Sequence, residues 1–153
     1  MSDISQSIIR EIHELKSKGK VIGFTNGCFD LLHEGHQFFL NECKKNCDFL
    51  IVGLNSDTSV KQLKGSSRPI ENQKKRMQQL YKLQSVNKVL IFNELSPDSL
   101  IKKICPNVLM KGKDYKIDEV IGKDYVIANG GRVLLISFLE GFSTTKKIKE
   151  INR

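Results

Sequence analysis

The sequence predicts an α/β protein with a doubly wound parallel sheet of five strands in the order 3-2-1-4-5. Three observations lead there. Short apolar runs alternate with longer amphipathic segments along the chain, the pattern of repeating strand–helix units. The connections between them are short, so the strands run parallel through right-handed crossovers. The run Phe49 to Leu54 is continuously apolar rather than alternating, as expected of a strand covered on both faces.

The elements follow in order. Ile4, Ile8, Ile12 and Leu15 share one face of an opening helix that Ser2 or Asp3 would cap and Gly19 would end. This N-terminal helix, residues 1–19, precedes a core of residues 20–153, and the two form a single domain. Val21 to Thr25 reads as the first strand. Gly35 to Asn46 reads as a helix with Phe39, Leu40 and Cys43 inward, and Phe49 to Leu54 as the second strand. Glu71 to Gln84 has helical spacing, with Met77, Leu80, Tyr81 and Gln84 on one side. Val89 to Phe92 is a third strand. Ser96 caps a short helix through Ile104, with Pro97 at its first position. Val108 to Met110 is a fourth strand, Asp118 to Ala128 a helix ended by Asn129-Gly130-Gly131, and Val133 to Phe138 a fifth strand. Ser143 or Thr144 would cap a last, basic helix.

Composition narrows the class. A chain of 153 residues, 39% hydrophobic and 27% charged, is of a size and balance for one globular domain, not a disordered, collagen-like or disulfide-scaffold protein. No wholly apolar run without glycine exceeds the length of Val133 to Ile136, far short of a membrane helix. The N-terminus lacks a basic start followed by an apolar block, so no signal peptide is expected and the protein is expected in the cytoplasm. Cys28, Cys43, Cys47 and Cys105 show no C-x-x-C spacing and no zinc pattern, and read as reduced structural thiols. The net charge of +8 suits an anionic partner: nucleic acid, an acidic membrane, or a small phosphorylated ligand.

In open parallel sheets ligands bind beyond the carboxyl ends of the strands, at the point where strand order reverses. Here that point lies between strands one and four, so the residues after each strand are the candidate site. Strand one is followed by Thr25-Asn26-Gly27-Cys28-Phe29-Asp30, then His33-Glu34-Gly35-His36; strand two by Asn55-Ser56-Asp57 with Lys61, Lys64 and Arg68. Strand four is followed by Lys111-Gly112-Lys113-Asp114-Tyr115, and strand five by Glu140-Gly141-Phe142-Ser143-Thr144-Thr145-Lys146.

His33 and His36 are the most informative feature. Three apart at a helix start, they share a face where backbone N–H groups and the helix dipole already favour an anion. Gly27 and Gly35 would let a ligand come close to the backbone. A phosphate could take hydrogen bonds from both rings. The rival readings are two chance surface histidines and a metal site of Asp30, His33 and His36. No obvious further ligand accompanies those three. Ser143, Thr144 and Thr145 read either as plain helix caps or as a second phosphate cradle. Singly, Lys61, Lys64, Arg68 and Arg76 are ordinary surface charges; as a group near the switch point they could neutralise a triphosphate. His13 has no assigned role. Lys16, Lys18, Lys44 and Lys45 lie away from that edge as surface charge.

These motifs resemble those of the cytidylyltransferase-like nucleotidyltransferases. His33-Glu34-Gly35-His36 resembles their H-x-G-H signature, and Ser143-Thr144-Thr145 their second signature. Within that superfamily the chain is similar, over roughly residues 10 to 152, to the adenylyltransferase domain of ADP-heptose synthesis enzymes. Further matching blocks are Leu63-Lys64-Gly65, Ser67-Arg68-Pro69, Arg76-Met77, Lys111-Gly112 with Asp114-Tyr115-Lys116, and Ala128-Asn129-Gly130-Gly131. Lys113 and Phe142 depart from that pattern. Phe138-Leu139 stand where glycerol-3-phosphate cytidylyltransferases carry an Arg-Thr pair.

The resemblance implies a Rossmann-like nucleotidyltransferase that moves AMP from ATP, with Mg²⁺, onto D-glycero-D-manno-heptose 1-phosphate. ADP-heptose for lipopolysaccharide would be the product, and a separate kinase would supply the sugar phosphate. It implies His33, His36 and Lys61 as catalytic residues. Thr25, Asn26, Gly27, Cys28, Phe29, Arg76, Lys111, Gly112, Asp114, Ser143, Thr144 and Thr145 would bind the nucleotide. Asp30, Asn55, Asp57, Lys64 and Arg68 would bind the sugar phosphate, and no residue is expected as a metal ligand. The partners expected are therefore ATP and a sugar 1-phosphate, with neither nucleic acid nor membrane. An exposed apolar face on the opening helix would suit a homodimer. Two alternatives stand: a CTP-dependent enzyme acting on glycerol 3-phosphate or another polyol or amino-alcohol phosphate, and a nucleic-acid-binding module. The second rests on charge alone, since the chain has no Trp and no aromatic RNA-binding motif.

Overall fold

The computed structural model of the protein describes residues 4–137. The elements are α1 (Gln6–Ser17), β1 (Ile22–Gly27), α2 (Glu34–Lys44), β2 (Phe49–Asn55), α3 (Asp57–Lys64) and α4 (Gln73–Tyr81), followed by β3 (Lys88–Phe92), α5 (Asp98–Ile104), β4 (Val108–Gly112), a 3₁₀ turn (Ile117–Glu119), α6 (Lys123–Ala128) and β5 (Arg132–Ile136). The strands form one parallel sheet in the order β3-β2-β1-β4-β5, as the alternation predicts.

The period-two alternation of a strand sorts the core into two layers. Leu50, Val52 and Leu54 of β2 join Phe39, Leu40 and Cys43 of α2 and Leu80 of α4 on one face. Ile51 joins Ile22 and Phe24 of β1, Ile12 of α1, Leu100, Ile101 and Ile104 of α5, and Val126 of α6 on the other. Both faces of β2 are therefore covered, which is why its sequence runs apolar without a break. Burial pushes the Cys43 thiol far above its ordinary value and that of Cys47 to about 11. All four cysteines are free, in keeping with reduced thiols.

Several local expectations are corrected. Ser5, not Ser2 or Asp3, caps α1 by accepting from Ile8 N–H. The apolar face of α1 is also not exposed: Ile12 is buried, and Ile4, Ile8 and Leu15 pack on the lower core layer. The surface offered above to a second copy is thus covered within the chain. Segment 57–64, for which the sequence pattern predicts no element, is a helix, α3. Its one buried apolar residue is Val60, so no stripe announces it; Ser56 starts it by accepting from Ser59 N–H. The helix expected over Glu71 to Gln84 is shorter, beginning after the Asn72 cap and ending at Tyr81.

The segment Asp118 to Ala128 is not one helix. It breaks at Gly122 (φ +91°), where a Cβ would stand 2.8 Å from Ile101 Cδ1. The glycine supplies a left-handed turn and a close approach to α5 at once. Phe138, the end expected for β5, and the last basic helix lie outside the described residues. No helix among the described residues is long and apolar enough to cross a membrane.

Gly53 tests how tightly the lower layer is filled. A Cβ there would lie 2.7 Å from Phe24 Cζ and 3.3 Å from Leu100 Cδ2. Gly53→Ala should destabilise the protein by about 1–3 kcal/mol through overpacking, seen as a lower urea midpoint with an unchanged slope.

Candidate active site

The sheet parts at its centre. β1 stays paired with β2 as far as Gly27↔Leu54, and β4 with β5 as far as Gly112↔Ile136. Between β1 and β4, among the described residues, the ladder covers only Gly23↔Val108 and Phe24↔Leu109. Beyond those pairs the β1–β4 ladder ends, at the switch point where this strand order places a ligand crevice.

The loop after β1 lies at this crevice. Phe29 (φ +46°) and Leu31 (φ +55°) both adopt the left-handed backbone that side-chain-bearing residues avoid. Strain of this kind persists only where the surroundings enforce it. Gly27 leaves the room that Phe29 uses, since a Cβ on it would meet the Phe29 ring at 3.0 Å. Phe29 in turn packs edge-on to His36, with ring centroids 5.6 Å apart.

The two histidines form a capping box. His33 is the N-cap of α2, and its Nδ1 accepts from Gly35 N–H at 3.0 Å. His36 Nδ1 accepts from His33 N–H at 3.1 Å. The rings stack, with centroids 3.9 Å apart and planes 26° from parallel. Because each Nδ1 is an acceptor, each neutral ring carries its proton on Nε2. The pair is held rigidly, in one tautomer, at a helix N-terminus, which is the preorganisation that anion stabilisation requires.

Several residues expected to grip ligand instead hold the loops. Arg76, expected on the outer phosphates, is fully buried. Its Nε donates to Glu71 O, its Nη1 to Cys28 O and Asn55 O, and its Nη2 to Asp57 Oδ1, all within 2.8–2.9 Å. Asp30, expected on the sugar phosphate, is buried and accepts from Ile70 N–H, Glu71 N–H and Arg68 Nε. Asp57 pairs with Arg76 and takes Gln73 Oε1 on its own N–H. These are structural engagements with no free carboxylate left at Asp30, so Asp30, His33 and His36 do not form a metal cage. No cluster of three metal-ligating side chains occurs among the described residues.

Other expected residues do gather at the edge. Thr25 is fully buried and its Oγ1 has no hydrogen-bond partner. Lys111 reaches from β4 to the Asn26 carbonyl at 2.9 Å. Gly112 is buried beside it, and Asp114 is exposed just after it. Asn55 is buried at the end of β2, while Lys61 and Lys64 project into solvent from the last turn of α3. Arg68 keeps one buried amine, Nη2, without a partner. Ser143, Thr144 and Thr145 lie outside the described residues. Glu71 and Gln73 were not foreseen. Glu71 Oε1 accepts from Leu31 N–H and so helps hold the strained loop. Nothing in the local pattern distinguishes either residue from ordinary helix-start polar groups.

Residues 24–150 match the model of the cytidylyltransferase-like family, a span that contains the whole crevice. The chain belongs to that family. It is 53% identical over 134 residues to the bifunctional protein HldE of Nitrobacter winogradskyi, covering 88% of this chain and 28% of that protein. With HldE of Hydrogenovibrio crunogenus it shares 50% identity over 145 residues, 92% of this chain and 30% of the relative. The chain thus spans less than a third of the length of these bifunctional relatives. A crystal structure of a lipopolysaccharide core biosynthesis protein from Thermoplasma volcanium superposes with a TM-score of 0.65 at 26% identity, covering 79% of this chain and 98% of the other. The capped histidine pair lies within the span that matches the family, and the Arg76 and Asp30 contacts hold the loop that precedes it.

Two outcomes follow for the loop anchors. Arg76→Met strands three main-chain carbonyls and the Asp57 carboxylate, and should cost at least about 3 kcal/mol in chemical denaturation. Arg76→Lys should recover only part of it, because an ammonium cannot reproduce the planar fork. Burial alone would raise the Asp30 carboxyl. The Ile70 and Glu71 amides and the Arg68 guanidinium outweigh burial and hold it below the ordinary 3.8. A depressed folded-state value gives stability that is present above the unfolded value and lost as pH falls through the folded one. Acid unfolding followed by circular dichroism should therefore be less steep below about pH 4 in Asp30→Asn than in the wild type.

Proposed function

We propose that the chain is a nucleotidyltransferase that moves the adenylyl group of ATP onto D-glycero-D-manno-heptose 1-phosphate, giving ADP-heptose and pyrophosphate. The observation that carries this reading is the stacked His33–His36 pair, each Nδ1 tied to backbone, at the mouth of the β1–β4 crevice. The adenylyl and heptose parts rest on the motif blocks set out above. The high identity to bifunctional HldE proteins supports them. So does the lipopolysaccharide role in the name of the Thermoplasma neighbour.

In this reaction a phosphate oxygen of the sugar attacks the α-phosphorus of ATP, and the bond to the β-phosphate oxygen breaks as pyrophosphate leaves. No enzyme nucleophile is needed, so catalysis is positioning plus stabilisation of developing charge. His33 and His36 donate Nε2–H to α- and β-phosphate oxygens. Lys61 and Lys64 meet the incoming sugar phosphate, and Arg68 Nη2 supplies a further donor there. Main-chain groups of Asn26, Gly27 and Cys28 line the nucleotide. Ser143, Thr144 and Thr145, outside the described residues, would bind the nucleotide as the resemblance implies. Mg²⁺, expected with ATP, would offset negative charge on the phosphates. Both carboxylate oxygens of Asp30 are already engaged, by Arg68 and the Ile70 and Glu71 amides, so Asp30 does not fit as its ligand. An enzyme of this kind would work in the cytoplasm, where ATP is made available.

The test is pyrophosphate release with ATP, CTP or GTP against heptose 1-phosphate or glycerol 3-phosphate. Turnover is expected with ATP and heptose 1-phosphate; turnover confined to CTP with glycerol 3-phosphate would overturn the assignment. His36→Ala should lose about 100- to 1,000-fold in rate while retaining cooperative unfolding, and near-normal turnover in that variant would remove the histidine pair from the mechanism.

A further inference from the structure

One lysine crosses the split between β1 and β4. Lys111 stands on β4 two residues beyond the last β1–β4 ladder pair. Its Nζ donates across the gap to the Asn26 carbonyl at 2.9 Å and reaches Asn26 Oδ1 at 3.4 Å. The same ammonium lies 4.7 Å from the centroid of the Tyr115 ring. Every one of these partners is neutral. Among the described residues Lys111 has no ion-pair partner, although its neighbour Asp114, Cys28 of the β1 loop and Cys43 of α2 act on it from further away. An ammonium has three donors and no acceptor, and a buried charge is costly unless an opposite charge meets it. An unpaired cation lying across the crevice where the nucleotide is proposed to enter is therefore an incomplete site.

We propose that Lys111 is a proton-linked positioning residue. As a cation it straps the Asn26 peptide to β4, and an anionic nucleotide entering the split completes the site by drawing a proton onto it. This rests on the nucleotide-binding reading above and adds to it a linkage between binding and protonation. Burial lowers the Lys111 value to about 8, against the weaker opposing influence of Asp114, Cys28 and Cys43. At pH 8 the free enzyme therefore holds this proton only in part. A phosphate nearby favours the charged form, so binding takes up the remainder. The strap acts on Asn26, one residue before the glycine that seats Phe29, and so reaches the histidine pair through Phe29.

The experiment is isothermal titration calorimetry of the full chain with α,β-methylene-ATP and Mg²⁺ at pH 8, in buffers of different ionisation heat. The wild type should take up about half a proton per nucleotide bound. Lys111→Arg, which stays charged, should bind with that uptake lost. Lys111→Met should lose the uptake and bind about 10- to 100-fold more weakly. Thermal unfolding without nucleotide gives a second check. A lysine with a lowered folded-state value binds more protons unfolded, so wild-type stability rises relative to Lys111→Met as pH goes from about 8 to 10. Comparison with the variant cancels the opposite trend of the Cys43 and Cys47 thiols. Binding without proton uptake, uptake that survives in Lys111→Met, or a stability gap that does not change with pH overturns the proposal. A wild type that binds no nucleotide overturns the adenylyl-transfer reading, and this inference with it.

Discussion

The site depends on one buried guanidinium. Arg76 projects from the first turn of α4 into the space between the ends of β1 and β2, and its hydrogen bonds fix three separate stretches of chain: the loop after β1, the start of α3, and the entry to α4. Asp30 does the complementary work from the other direction, drawing the amides of Ile70 and Glu71 and the Arg68 side chain onto the β1 loop. Between them, segment 68–76 is locked beneath the loop that carries the histidines. Two non-glycine residues in left-handed backbone can persist in that loop because its surroundings leave it no alternative.

The fold was legible where hydrophobic periodicity speaks clearly. Continuous apolar character in Phe49–Leu54 and the alternation of strand and helix were enough to place the sheet and its order, since handedness and short connections leave few arrangements. Periodicity was silent where the chain is polar. α3 holds itself by an N-cap and a single buried valine, and the break at Gly122 is a matter of contact with Ile101 that no local pattern encodes.

The site was legible in position more than in role. Strand order placed the candidate edge at the switch point between β1 and β4, and the histidines are at a helix start as their spacing implies. Charge was the misleading signal. A basic residue near a candidate phosphate site reads as a ligand, yet Arg76 and Asp30 turn inward and serve the scaffold. Even Lys16, taken as surface charge, donates to the Cys105 carbonyl at the end of α5. Sequence reports that a charge is present; only the fold reports which way it faces and what already satisfies it.

The capping box has a bearing on how such a signature can be moved or varied. Each imidazole uses one nitrogen to finish the first turn of α2, so the spacing of the motif is the pitch of a helix rather than a free choice. An inserted residue between His33 and His36 would turn the second ring by about 100° around the axis, separating the stack and uncapping the helix together. The portable unit is therefore not four letters of sequence but a helix start complete with its preceding loop, and grafting the letters alone onto another scaffold would transfer neither the geometry nor the tautomer.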